Sequence, residues 1–108
     1  MSFQAMRSGD MLHVTVPGPR LDAAAVPVFK QWMNDATARH SGDVVLDLGE
    51  ITFIDSSGLG AIVGIARRLP KGRSLSLDNV APPVMRLLRL TRVDTVFTIR
   101  ESVAGGNA

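Results

Sequence analysis

Among the side chains able to do chemistry, the densest run is Asp55-Ser56-Ser57-Gly58-Leu59. A serine there would be a nucleophile only with a base beside it. His13 lies in an alternating apolar pattern and His40 in the polar stretch His40-Ser-Gly-Asp43, and no Gly-x-Ser-x-Gly elbow is present. Both histidines therefore read as surface residues. Asp22 and Asp55 invite a paired-carboxylate reading, as acid and base or as ligands for Mg²⁺. They belong to different loops with no base accompanying them, and a turn-forming aspartate accounts for Asp22 equally well. Gly58-Leu-Gly60-Ala-Ile-Val-Gly64 imitates a dinucleotide fingerprint, but its glycines do not directly follow a strand. The small residues at 60, 61 and 64 more simply allow a helix to approach the sheet or a partner closely. Asp47, inside an apolar strand, reads as a hydrogen-bonded structural group. Taken alone, Ser56 and Ser57 would cap a helix, a role worth about 1 kcal/mol.

The elements that must hold these residues follow from periodicity. Met11-Leu-His-Val-Thr-Val16 alternates as a half-buried strand and ends at Pro17-Gly-Pro19. Val26, Phe29, Trp32, Met33 and Ala36 then recur at helical spacing, with Pro27 tolerated in the first turn and Phe29 and Trp32 read as core. Val44-Val-Leu-Asp-Leu48 is a buried strand, and Leu59, Ile62, Val63, Ala66 and Leu69 mark a second helix stopped by Pro70-Lys-Gly72. A strand over Ser74–Leu77, a third helix opened by Pro82-Pro83 and a strand over Val96–Ile99 complete the order. Alternation of strand and helix implies right-handed crossovers and a largely parallel sheet, with functional groups at the carboxyl ends of its strands. The loop from Ile51 to Gly58 is such an end.

Composition narrows the function classes. The chain has 108 residues, 45% of them apolar, enough for one hydrophobic core. Its net charge is +2, and the basic residues form no dense block with interleaved aromatics, so no nucleic acid partner is expected. Arg86, Arg89 and Arg92 share one side of the third helix and read as a solvated face. With no cysteine, disulfides and thiolate metal sites are excluded. No run approaches the roughly 20 apolar residues that cross a bilayer, and no signal-peptide core follows Met1, so the expected location is the cytoplasm without membrane insertion.

Several separated motifs also resemble one family in the right order. Val44-Val-Leu-Asp-Leu-Gly-Glu-Ile-Thr-Phe-Ile-Asp-Ser-Ser-Gly-Leu-Gly60 is similar to the signature of STAS domains of the bacterial anti-sigma factor antagonist type. Gly18-Pro-Arg-Leu-Asp22, the run from Leu75 to Thr91 and Val96-Phe97 extend the likeness over residues 10 to 100. The resemblance implies an α/β STAS-like fold, a central mixed sheet of four to five strands with helices mainly on one face. It divides the chain into an N-terminal segment (1–9), the domain (10–100) and a loose tail (101–108).

By the same resemblance, the chain is not an enzyme and carries no cofactor or metal. It would bind an anti-sigma factor that is also a serine kinase of the histidine-kinase-like ATPase type, and so free a sigma factor. Phosphorylation of Ser56, with Ser57 as the fallback, would end that binding, and a metal-dependent serine phosphatase would restore it. Asp22, Arg20, Asp55, Ser57, Gly58 and Leu59 are the expected partner-facing residues. The physics of the position agrees, because a phosphate at a helix mouth meets unpaired N–H groups and the positive end of the dipole. Arg20 departs from the family, which commonly has glutamate there, and Arg92 stands where many relatives have glycine. The alternatives are a STAS subunit of a membrane transporter or stress-signalling scaffold, and a nucleotide-binding protein using the glycine-rich turn.

Overall fold

The structure is a computed structural model that describes residues 2–101. Its first element is a strand with almost no apolar signal: β1 (Gln4–Ser8) is exposed along its whole length and pairs antiparallel with β2 (Met11–Thr15). Gly9 makes the turn between them at φ +60, a conformation glycine adopts without steric cost. The sequence reading begins the domain at residue 10, and the hairpin adds an edge strand ahead of it. In β2 the alternation works as expected, Leu12 and Val14 turning inward while His13 stays exposed.

The remaining elements run β3 (Arg20–Leu21), α1 (Val26–Ala38), β4 (Val44–Asp47), β5 (Phe53–Ile54), α2 (Ser56–Arg68), β6 (Leu75–Val80), α3 (Pro82–Leu90), a 3-10 turn over Val93–Thr95, and β7 (Thr98–Glu101). Five strands form one sheet in the order β1-β2-β4-β6-β7, parallel except for the β1 hairpin. It is the mixed α/β sheet expected. β3 and β5 make a separate parallel pair outside it.

Alternate residues of the central strands, Leu12, Val14, Val44, Leu46, Leu75 and Leu77, present one face to the helices. Phe29 and Met33 of α1, Leu59, Ile62 and Ile65 of α2, and Val84 and Leu88 of α3 join them in one core cluster. Each large side chain so buried contributes about 1.5–3 kcal/mol. Helix ends follow local chemistry. Leu69 is extended because Pro70 follows it, which stops α2, and Pro82-Pro83 open α3 where no N–H partner is needed. Beyond α3, Arg92 occupies the left-handed region at φ 62, so a side-chain-bearing residue holds a turn suited to glycine.

Three expectations change. The last strand lies over Thr98–Glu101 and not Val96–Ile99, because the 3-10 turn takes up the chain before it and Phe97 is buried on entry. His40 is buried at 6% exposure, not on the surface. Its Nε2 lies 3.0 Å from the Asp43 carbonyl, and Gly42 draws the loop against Asp10 and the ring, where a Cβ would sit 1.7 Å from the Asp10 carbonyl oxygen. Trp32 is only partly buried and stacks on Phe3 at 5.0 Å between ring centroids. Asp47 is hydrogen-bonded as expected, accepting from the Gly49 N–H at 2.8 Å and from the Asn79 amide at 3.1 Å. The expected loose tail lies outside the described residues, apart from Glu101.

Candidate functional site

Two short strands bring the candidate residues together. Pairing of β3 with β5 sets Arg20 opposite Phe53 and Leu21 opposite Ile54. Leu21 and Ile54 point into the core, so by strand alternation Arg20 and Phe53 point out, and the guanidinium lies 4.1 Å from the Phe53 ring centroid. One residue further on, Asp22 and Asp55 leave the two strands side by side.

Asp55 is the N-cap of α2, extended at φ −108 and ψ −176. One carboxylate oxygen accepts from the Gly58 N–H at 2.9 Å, satisfying a donor that the first helical turn leaves unpaired. The other accepts from the Ala23 N–H at 3.2 Å, which ties the α2 mouth to the loop carrying Asp22. Asp22 in turn accepts from the Ala25 N–H at 3.2 Å and from Arg20 Nε at 3.0 Å. The Arg20 hydrogen bond holds its carboxyl below the usual aspartate range; partial desolvation opposes this, and the Ala25 N–H adds to it. Both aspartates thus act as anchors for backbone N–H groups.

Gly58 explains how the two loops come so close. A Cβ at this position would lie 2.2 Å from the Leu21 carbonyl oxygen, so only glycine fits. Gly58 and Leu59 are buried and support the site from beneath, whereas Ser56 and Ser57 are exposed as the first two residues of α2. Of the two roles expected for the glycines further along α2, close approach to the sheet or to a partner, the first does not hold. A Cβ at Gly60 or Gly64 would meet nothing within 4 Å, so neither brings the helix against the sheet. Instead they line a groove between α1 and α2, together with Val26, Lys30, Ser56, Ser57 and Arg68. Lys30 is the residue that sequence reasoning missed. Its only signal was its place on the polar side of α1, which does not say what lies opposite.

The family profile described as STAS domain matches residues 2–106, nearly the whole chain. The chain belongs to the STAS domain family. Within that family it is similar to an anti-sigma F factor antagonist of Paenibacillus polymyxa, 32% identical over 84 residues that cover 76% of this chain and 72% of the relative. It is also similar to an anti-sigma-B factor antagonist of Bacillus subtilis, 28% identical over 96 residues, 88% of this chain and 86% of the relative. In fold, this STAS domain resembles the crystal structure of an anti-sigma factor antagonist from Mycobacterium paratuberculosis, with a TM-score of 0.84 at 22% identity over 92% of this chain and 84% of the other. The five-stranded mixed sheet and three helices are thus those of the family.

Proposed function

We propose that this STAS domain is an anti-sigma factor antagonist working by partner switching. Without phosphate it binds an anti-sigma factor and releases the sigma factor; phosphorylation of Ser56 ends the binding. The anti-sigma factor is also the kinase, of the histidine-kinase-like ATPase type, and a metal-dependent serine phosphatase resets the switch. In the transfer, Ser56 Oγ attacks the γ-phosphorus of kinase-bound ATP, the bond to ADP breaks, and the hydroxyl proton leaves to the kinase or solvent. The nucleotide belongs to the kinase, and the domain is a regulatory binding protein. Such a role places it in the cytoplasm, and no helix among the described residues is long and apolar enough to cross a membrane.

The observation that carries this reading is the exposure of Ser56 at the head of a helix whose N-terminus is held by Asp55 and Gly58. The names of the relatives support the same role. A phosphate on an exposed side chain need not refold the domain. At an interface it adds about −1.5 to −2 charges beside Asp55, and burying them uncompensated costs several kcal/mol. Because about 1.4 kcal/mol is tenfold in affinity, one phosphate suffices to release the partner. Arg20, pinned between Phe53 and Asp22, presents a fixed positive group at the edge of this surface and would set which kinase is accepted.

Incubation with the kinase and ATP, followed by intact-mass measurement, tests the proposal. The parent and Ser57→Ala gain one phosphate, Ser56→Ala gains none, and the phosphorylated parent no longer binds the kinase. Uptake by Ser56→Ala but not Ser57→Ala would move the site to Ser57. No uptake by the parent would sink the switch and favour a STAS interaction subunit without sigma-factor control.

A further inference from the structure

We propose that Lys30 is the counter-ion for the phosphate on Ser56, so that the modified side chain turns along the α1–α2 groove and is held by the domain's own charge. The inference rests on the reading of Ser56 as the phosphorylated residue, and it adds where the phosphate goes. Lys30, Ser56 and Ser57 line the same groove, with Gly60 and Gly64 between its walls. Gly60 has open space where a side chain would stand, so nothing from that residue separates the lysine from the serines.

Direction favours the contact. Two contacts set the helices in parallel: the Ala23 N–H, just ahead of α1, donates to Asp55 at the mouth of α2 at 3.2 Å, and Arg68 Nη1 at the far end of α2 donates to the Asn34 side chain at 2.7 Å. Side chains lean toward the N-terminus of their helix, so Lys30, one turn below Val26, leans toward the serine end.

Charge favours it as well. No carboxylate lines the groove, and Lys30 has Val26, Pro27, Met33 and Asn34 at its helical neighbour positions, so no acid on α1 neutralises it. Neither α1 nor α2 has an acidic residue in its first turn. Asp55 caps α2, and Asp22, paired with Arg20, accepts from the Ala25 N–H at the head of α1, so each helix end has its own carboxylate; Lys30 is the charge left without one in the groove, which leaves a place for an anion beside it. Of the other charges near the groove, Arg68 is hydrogen-bonded to Asn34, and Asp55 repels a phosphate and raises its second pKa.

The experiment installs phosphoserine at position 56 through a reassigned codon, so no kinase is needed, and follows the phosphate through its second ionisation by ³¹P NMR. Lys30→Gln is expected to raise that pKa by about half a unit, and Lys30→Arg to keep it near the parent value. The difference between parent and Lys30→Gln should shrink as salt is added. Coincident titration curves for the parent and Lys30→Gln would overturn the pairing. Failure of a kinase to modify Ser56 would count against the proposed function and leave this titration standing.

Discussion

Arg20 and Asp22 hold each other at 3.0 Å, and the same guanidinium lies over Phe53. Because Asp22 is ionised more readily in the folded domain than in the unfolded chain, its contribution to stability is present above the unfolded pKa and is lost as pH falls through the lower folded one. Replacing Arg20 by alanine removes the leading cause of that shift. A carboxyl ¹³C titration should then show the Asp22 pKa moving up toward the ordinary aspartate range, and acid unfolding should begin at a higher pH. An Asp22 titration identical in the two proteins would mean that the backbone donors alone hold the carboxylate. The acids and Arg20 were visible in the sequence as types. Their partners were not, since an Asx turn and a partner-facing carboxylate look the same in one dimension.

At the level of the elements, the motif Asp55-Ser56-Ser57-Gly58 is a strand-to-helix junction in which the two glycines of Gly58-Leu-Gly60 have opposite roles. Gly58→Ala drives a Cβ to 2.2 Å from the Leu21 carbonyl oxygen, so β3 and α2 must separate, at a cost of about 1–3 kcal/mol. Gly60→Ala meets open space in a helix interior, where alanine is favoured over glycine by about 0.5–1 kcal/mol. Urea denaturation of both variants should show the first destabilised and the second stabilised. The same sign for both would show that the contact with β3 does not govern the junction. Helical spacing revealed α2 and its buried stripe, but which glycine touches backbone depends on a neighbour more than 30 residues away.

In the whole molecule, stability should be graded from the centre of the sheet to its edge. β4 has a neighbour on each side and three fully buried residues, whereas β1 is an exposed edge strand preceded by Phe3, which stacks on Trp32 and Phe29. Phe3→Ala should cost about 1–2 kcal/mol in thermal unfolding and speed amide exchange in β1, with β4 and β6 unchanged. Uniform loss of protection across the sheet would instead make the hairpin part of one cooperative unit. The chain's own periodicity was enough for β2, β4, the three helices and the single core, because apolar repeats of two and of three to four residues are local properties. It could not reveal β1, which has no apolar alternation, nor the burial of His40 in a loop of polar residues. The β3–β5 pair, the Asp55 bond to Ala23 across 32 residues and the groove that Lys30 and Ser56 share also depended on the folded arrangement. These contacts join segments that local chemistry leaves independent, and it takes the packing of α1 and α2 on one sheet to make them neighbours.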